Sequence, residues 1–172
     1  MLIFREEQLG DEAGIREVNL SAFGQTIEAD IVDCLRTKSS CQKIAFVAVL
    51  DLRIVGYILF TPIIIENSRN ILTGMGLAPL AVIPEFQGQG IGSNLTKIAL
   101  ESIKNKGYPF VIVLGEPSYY SRFGFVPAYH YNIISEYQDI PQEALMILEF
   151  DIEALKGISG IAKYQPEFSE AV

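Results

Sequence analysis

The sequence predicts an α/β fold with a mixed, mostly antiparallel sheet, a central parallel βαβ unit and flanking helices, in a single domain over residues 1–172. Three observations support this fold class. Of the 172 residues, 49% are hydrophobic and 20% charged, which suits one domain around one core. Two β-rich runs are separated by only two residues, which indicates antiparallel pairing. Further along, a strand, a glycine-rich turn, a helix and a buried strand follow one another, which indicates a parallel pair with a right-handed crossover.

The first part of the chain is predicted to form one strand and two helices. Leu2–Glu6 is strand-like, and Gly10-Asp11 is a loop that caps the next helix. Apolar residues then recur at helical spacing, namely Ile15, Val18 and Ala22. A second helix has one expected apolar face, formed by Ile27, Ile31, Cys34 and Leu35. Cys34 is therefore expected to be buried and unreactive.

Three strands are predicted next. The runs Ile44–Leu50 and Arg53–Ile65 form the expected hairpin, and Asp51-Leu52 joins them. A third strand, Ile71–Ile83, is interrupted by Gly74, Gly76 and Pro79. Because proline cannot donate to a sheet ladder, we expect a bulge or a splayed edge in this strand.

The pattern changes to a helical period after Gly88. One apolar stripe is predicted from residues that share a helix face: Ile91, Leu95, Ile98, Ala99, Ser102 and Ile103. Gly107 ends this helix, and Phe110–Leu114 is a continuous apolar run of the kind found in strands buried on both faces. A short helix or turn near Ser118–Phe123, a strand at Ala144–Phe150 and a polar tail complete the prediction.

Composition excludes several classes of function. The formal net charge is −8, which disfavours nucleic-acid binding and suits a cationic partner such as an amine. One histidine and two cysteines form neither a zinc-ligand pattern nor a disulfide framework, so we expect no metal and a reducing, cytoplasmic location. The longest apolar stretch, Ile54–Ile65, is too short to span a bilayer, so no membrane partner is expected.

The most informative segment is Gln87-Gly88-Gln89-Gly90-Ile91-Gly92, named below the glycine-rich turn. Closely spaced glycines let a backbone approach a ligand, and the free N–H groups of the following helix suit phosphate oxygens. A P-loop would need a Gly-Lys-Ser/Thr ending, and a Rossmann fingerprint would need a third glycine where Ser93 stands. The remaining alternative from spacing alone is a tight turn that binds no ligand.

The glycine-rich turn resembles the Gln/Arg-x-x-Gly-x-Gly/Ala motif of the GNAT superfamily of N-acetyltransferases. Leu80-Ala81-Val82 and Pro84 resemble the strand that this family places before its turn. Downstream, Tyr119-Tyr120-Ser121-Arg122-Phe123-Gly124-Phe125 resembles the family's Tyr-x-x-x-Gly-Phe ending. The order of elements is also the GNAT order, and the chain is most similar to the YhbS-like branch. The resemblance thus implies a GNAT-like fold over nearly the whole chain.

The resemblance further implies acetyl-CoA as cosubstrate, held by backbone groups. The pantetheine arm would pair with three residues of the strand, Leu80, Ala81 and Val82. The pyrophosphate would be held by the N–H groups of Gln87, Gly88, Gln89, Gly90, Ile91 and Gly92. Many relatives carry an asparagine seven residues before the motif tyrosine, whereas here Val113 occupies that position and offers no polar contact to pantetheine.

The family motif makes Tyr120 the candidate acid that protonates the departing thiolate. Reference pKa values of about 10 for tyrosine and about 8.5 for a thiol make this transfer uphill by roughly 2 kcal/mol, which is small beside enzymatic barrier reductions. The thioester oxygen would be stabilised by a backbone N–H of the splayed strand. Tyr119 is expected to be structural.

The acceptor side carries no comparable motif. Glu28, at the start of the second predicted helix, is the candidate substrate contact, and a lone His130 is expected to be a surface or packed residue. We therefore predict direct transfer of acetyl from acetyl-CoA to an amine, on a small molecule or on a protein. The alternative is a noncatalytic acyl-CoA-binding or sensing module of the same fold. A homodimer is compatible with the sequence.

Overall fold

The structure, a computed structural model, describes residues 1–38 and 40–171. These residues form two compact units. The first unit contains residues 1–60, 79–101 and 171, and the second contains residues 61–78 and 102–170. The boundary therefore falls inside two strands and one helix, which contribute residues to both units. The prediction of a single domain over residues 1–172 stays a prediction.

The first unit begins with antiparallel strands in the order β1 (Leu2–Glu6), β2 (Ile44–Leu50) and β3 (Arg53–Glu66). The turn between β2 and β3 has positive φ at both central residues, 46° at Asp51 and 71° at Leu52. Two left-handed residues give the turn a twist that matches the flanking strands, even though neither residue is glycine. The predicted hairpin is confirmed.

Helices α1 (Glu12–Phe23) and α2 (Ile27–Thr37) follow β1 along the chain. The carboxylate of Asp11 does not bind the N–H groups of α1. The buried residues of α2 are Ala29, Ile31, Val32 and Leu35. Cys34 is exposed and is a free thiol, so its predicted burial is wrong. The buried face of α2 is centred on Ile31 and Val32. It is rotated about the helix axis by about one residue from the predicted stripe.

Helix α3 (Ile91–Asn105) packs its first turns directly on β3 within the first unit. A Cβ at Gly56 would lie 3.0 Å from side-chain atoms of both Ile91 and Leu95, so glycine allows this close helix–strand approach. The buried residues of α3 are Ile91, Leu95, Thr96, Ala99, Leu100 and Ile103. Ile98 is 37% exposed, so its place in the predicted stripe is wrong, and Leu100 is buried instead.

The second unit contains the parallel pair. Strand β4 (Ile71–Val82) follows β3 through a turn in which Asn67 N–H donates to the Asn70 carbonyl. Residues Met75–Leu77 of β4 pair in parallel with Val111–Val113 of β5 (Phe110–Leu114). Strand β5 then pairs antiparallel with a later strand, Leu145–Glu149, which itself pairs with β6 (Val126–Pro127). This arrangement confirms the predicted fold class.

The end of the chain contains more structure than the predicted polar tail, and that prediction is wrong. After helix α4 (Pro117–Tyr120) come β7 (Ile133–Ser135) and β8 (Leu145–Glu149), and β8 confirms the predicted strand at Ala144–Phe150. In place of the polar tail come α5 (Ile152–Leu155) and β9 (Gly160–Lys163). Strand β9 pairs antiparallel with the last residues of β3 and parallel with β7. Tyr164 and Phe168 are buried. Single apolar residues separated by polar ones gave no sequence signal for this packing. Within the described part of the chain, none of the helices has the length and apolar character that crossing a bilayer requires.

Candidate functional site

The glycine-rich turn follows a short 3₁₀ segment, Pro84–Phe86. Gln87 is extended, and Gly88 and Gly90 then have φ values of 74° and 84°. Residues other than glycine are strained in this left-handed region, because their Cβ atom contacts the backbone. Helix α3 begins at Ile91. The two glycines are therefore required for the path by which the backbone enters the helix.

Two side-chain amides and one backbone N–H, all within the first unit, hold this turn in place. Gln87 Nε2 donates to the Val82 carbonyl at 2.9 Å, and Gln89 Nε2 donates to the Glu85 carbonyl at 3.2 Å. Immediately before the turn, Ile83 N–H donates to the Val55 carbonyl at 3.0 Å. These three bonds fix the turn without using the backbone N–H groups at its tip.

The N–H groups of the turn differ in their availability to a ligand. Gln87 N–H already donates to the Pro84 carbonyl at 3.2 Å. In the described residues, the N–H groups of Gly88, Gln89 and Gly90 donate to no backbone carbonyl, and all three residues are exposed.

The helix start adds two more such groups. The first intrahelical bond runs from Asn94 N–H to the Gly90 carbonyl at 3.0 Å, so the N–H groups of Ile91 and Gly92 come before the helical ladder. Free N–H groups at the positive end of a helix dipole suit a phosphate.

The three predicted pantetheine contacts lie on the last residues of β4. Ala81 is 2% exposed, whereas Leu80 and Val82 are half-buried. They follow Leu77, the last residue of β4 that pairs with β5. The pairing of β4 with β5 therefore ends before Pro79, which is consistent with the splay expected in β4.

Tyr120 lies in the second unit, at the end of α4. Its side chain is 8% exposed, and its ring contacts the edges of Tyr119 and Phe125, with ring centroids 4.9 Å and 5.6 Å away. A Cβ at Gly115 would overlap this ring, so glycine makes the space that the ring occupies. Burial, and after it the electrostatic effect of Tyr119, raises the pKa of Tyr120 well above the usual value. The hydroxyl is therefore protonated throughout the working pH range of proteins.

Tyr119 differs from its neighbour in its surroundings. Its hydroxyl is buried and has no hydrogen-bond partner among the described residues. Its ring lies under the guanidinium of Arg122, whose Cζ is 4.5 Å from the ring centroid, and against Phe123 at 5.3 Å. These contacts are those of a packing residue.

Glu28 and His130 each contact a side chain nearby in sequence. The Glu28 carboxylate, in the first turn of α2, accepts hydrogen bonds from Gln25 Nε2 at 2.9 and 3.1 Å. His130 is exposed and packs edge-on against Tyr129, with ring centroids 4.7 Å apart. Across residues 1–38 and 40–171, no group of three or more His, Cys, Asp or Glu side chains is placed to hold a metal ion.

The predicted site residues thus fall in both units. Leu80–Val82, the glycine-rich turn and Glu28 belong to the first unit, and Tyr120 belongs to the second. Val113, where many relatives have asparagine, is buried on β5 opposite Leu77.

Sequence reasoning missed Tyr164, whose hydroxyl donates to the carbonyls of Leu77 at 3.1 Å and Ile112 at 3.3 Å. It belongs to no motif, and only its being aromatic within a polar segment distinguishes it.

Comparison with protein families gives a direct match over the centre of the chain. A model described as an acetyltransferase (GNAT) domain matches residues 42–127. The matched segment contains the glycine-rich turn and the motif tyrosine.

Two curated relatives from Escherichia coli (strain K12) are similar to the chain. The uncharacterized N-acetyltransferase YhbS is 31% identical over 169 residues, which is 98% of this chain and 99% of the relative. The uncharacterized N-acetyltransferase YjhQ is 40% identical over 118 residues, which is 68% of this chain and 65% of the relative.

Two solved structures are also similar over most of the chain. YhbS from Escherichia coli, crystallised in complex with CoA, has a TM-score of 0.89 at 31% identity, with 98% of this chain and 92% of that chain covered. A GNAT family acetyltransferase from Brucella melitensis, in complex with acetyl-CoA, has a TM-score of 0.76 at 30% identity, with 98% of both chains covered.

Proposed function

Because the chain belongs to the GNAT acetyltransferase family, we propose that it is an acetyl-CoA-dependent enzyme that transfers the acetyl group directly to an amine. The family membership and the similarity to YhbS confirm the resemblance inferred from the two motifs. The predicted enzyme class, an N-acetyltransferase, agrees with the family model and with the names of both curated relatives.

The observation that carries the proposal is the row of available N–H groups from Gly88 to Gly92 at the start of α3. Phosphate oxygens are the ligands that such a helix start binds best, and the pyrophosphate of acetyl-CoA supplies them. CoA and acetyl-CoA are bound by the two similar structures, which supports this choice over other phosphate ligands. The N–H of Gln87, engaged with Pro84, would contribute little.

The proposed reaction begins when a neutral amine attacks the carbonyl carbon of the thioester. A C–N bond forms, and negative charge collects on the carbonyl oxygen, where a backbone N–H of β4 near Leu80–Val82 would stabilise it. The intermediate then collapses, the C–S bond breaks, and the sulfur takes a proton from the Tyr120 hydroxyl. The amine nitrogen loses one proton, and Tyr120 regains one from solvent.

The raised pKa of Tyr120 agrees with the role of acid. A tyrosine with its usual pKa of about 10 is already protonated at neutral pH, and burial extends this protonated range upward. Burial makes the hydroxyl a weaker acid as well. The same apolar surroundings would destabilise a thiolate that formed beside it, so the difference between the two pKa values need not grow.

Two further features support particular parts of the proposal. The net charge of −8 favours the approach of a cationic amine, and Glu28 remains the proposed contact for it. Cys34 and Cys41 are not joined by a disulfide, as is usual in proteins of a reducing compartment, which supports a cytoplasmic location.

The test is a thermal-shift titration with acetyl-CoA, with NAD and ATP as controls. At about 100 times the dissociation constant, a ligand adds roughly 2.7 kcal/mol to the free energy of unfolding and raises Tm by several degrees. We expect this shift with acetyl-CoA alone. No shift, or one with NAD or ATP only, would contradict the proposal.

Turnover distinguishes the enzyme from a noncatalytic acyl-CoA-binding module. Release of free thiol from acetyl-CoA would be measured with a panel of small amines, polyamines and peptides with free N-termini. An enzyme releases CoA in proportion to acceptor, whereas a binding module gives the thermal shift without any release.

A further inference from the structure

We propose that Tyr164 is a positioning residue that fixes the end of the β4–β5 pair and thereby the backbone to which the pantetheine arm of acetyl-CoA binds. This inference rests on the proposed function. Tyr164 lies just after β9, in the segment that carries no family motif, and all its contacts described below are within the second unit.

The hydroxyl of Tyr164 binds both strands of the parallel pair at once. Its single proton is shared between the Leu77 carbonyl on β4 at 3.1 Å and the Ile112 carbonyl on β5 at 3.3 Å. Leu77 and Val113 are the last paired residues of this ladder. A side-chain donor thus occupies the place where the two strands stop pairing.

The ring of Tyr164 is held from several sides. Its own backbone N–H donates to Glu136 Oε1 at 2.8 Å. A Cβ at Gly76 would lie 2.8 Å from Tyr164 Cε1, so the ring lies directly on the β4 backbone. Phe168 packs edge-on against it, with ring centroids 5.4 Å apart. The hydroxyl therefore has little freedom to leave the two carbonyls.

The position of this hydroxyl matters for the cosubstrate because β4 continues from Leu77 to Leu80–Val82. A pantetheine arm that pairs with those residues needs β4 to end its pairing with β5 at a fixed point. The Val113 side chain has no polar atom, so it donates no hydrogen bond to the arm, and the proposed contacts come from the backbone of Leu80–Val82. Without the hydroxyl, each of these two buried carbonyls loses one hydrogen bond, and we expect the ends of the strands to shift.

Burial raises the pKa of Tyr164 strongly, and the next largest effect is electrostatic and comes from Tyr120. The hydroxyl thus stays protonated and remains a donor.

The test compares two ligands by isothermal titration calorimetry. Acetyl-CoA contains the pantetheine arm, whereas adenosine 3′-phosphate 5′-diphosphate contains the pyrophosphate but not the arm. For Tyr164→Phe we expect the Kd of acetyl-CoA to rise by about three- to tenfold, the size of one lost hydrogen bond, and the Kd of the nucleotide to stay unchanged.

Tyr57→Phe is the matched control, since it also removes a buried tyrosine hydroxyl, which donates to Glu7 Oε2 at 3.1 Å in the first unit. We expect this variant to bind both ligands as the wild type does. If Tyr164→Phe does not fold, Gly76→Ala gives a second test, because its Cβ displaces the ring while the hydroxyl remains. The same selective loss of acetyl-CoA affinity is expected.

Three results would overturn the inference. Equal loss of affinity for both ligands would make Tyr164 a general structural residue, and unchanged affinity for acetyl-CoA would remove its role. If the wild-type protein binds neither ligand, the proposed function fails first and the inference fails with it, so the two failures are distinguished by the wild-type titration.

Discussion

At the scale of single residues, removing the hydroxyl is expected to lower turnover at Tyr120 and to leave turnover unchanged at the adjacent Tyr119. Tyr120→Phe removes the proposed proton donor and leaves the ring packing on Gly115 and Phe125. We expect turnover to fall by about 10²- to 10⁴-fold, the usual contribution of a general acid, with acetyl-CoA affinity unchanged. The measurement is release of free CoA with the acceptor found in the panel.

Tyr119→Phe is the control for this variant. The Tyr119 hydroxyl is buried and has no partner within residues 1–38 and 40–171, so its removal relieves a desolvated polar group and we expect Tm to stay equal or rise slightly. Turnover should not change. A loss of turnover in Tyr119→Phe as large as that in Tyr120→Phe would contradict the assignment of the acid.

Single residues differ in how far the sequence predicts their surroundings. Tyr120 could be selected because a motif marks it, and its burial and high pKa suit the selected role. Cys34 was misplaced because one residue of rotation moves a side chain off the buried face of a short helix. Tyr164 had no signal, since its partners are backbone carbonyls distant in sequence.

At the scale of elements, the glycine-rich turn gives the clearest prediction. Gly88→Ala places a side chain at a φ of 74°, and we expect it to cost about 1–2 kcal/mol of stability. It should also weaken acetyl-CoA binding, because the N–H groups at the tip of the turn move. Kd and Tm are measured together.

Gly24→Ala is the matched control for the turn. Gly24 has a φ of 68° after α1, and a Cβ there meets no atom of the described residues within 4 Å, as at Gly88. We expect a similar loss of stability without any change in acetyl-CoA affinity. If both variants lose affinity alike, the effect belongs to stability and the role of the turn is refuted.

The junction of β1 and α1 depends on one buried carboxylate. Asp11 accepts two hydrogen bonds from Arg5, at 2.7 and 2.9 Å, and one from Gln8 N–H at 2.8 Å. The sequence predicted a loop that caps the helix here, but the carboxylate binds groups that precede the helix. The bond from Arg5 holds the pKa of Asp11 below its usual value, although burial opposes this.

Asp11→Asn is expected to lower the free energy of unfolding at pH 7 by about 1–3 kcal/mol, since a paired charge is lost at a largely buried site. A lowered pKa gives stability that is present above the unfolded value of about 3.9 and is lost as pH falls below it. The difference between variant and wild type, measured by urea unfolding, should therefore shrink between pH 5 and pH 3. A constant difference would contradict this account.

At the scale of the whole molecule, the order of elements up to β5 could be predicted because each has a clear period or a clear turn. Beyond Phe123, the predicted strand at Ala144–Phe150 is confirmed as β8 (Leu145–Glu149), but the other strands could not be predicted. Strands β6, β7 and β9 are two to four residues long, too short for alternation to be recognised. They exist because distant strands pair with them, and that information is not local.

Buried tyrosines give the whole protein a predicted alkaline limit. Burial raises the pKa of Tyr57, Tyr120 and Tyr164. A raised pKa gives stability that is present below the unfolded value of about 10 and is lost as pH rises through the folded value. We expect the free energy of unfolding to be flat near pH 8–9 and to fall above pH 10, with Tyr164→Phe showing a shallower fall. An equally steep fall in that variant would refute the assignment.

The pairing of β9 with β3 also has a consequence for how the protein is made. Lys163 and Glu66, which form an ion pair across these strands, are 97 residues apart in sequence. During synthesis, β3 therefore leaves the ribosome long before β9 exists, and its apolar end stays uncovered for that interval. The growing chain spends much of its translation with an open strand edge, so we expect translation speed and chaperone supply to set the yield of folded protein.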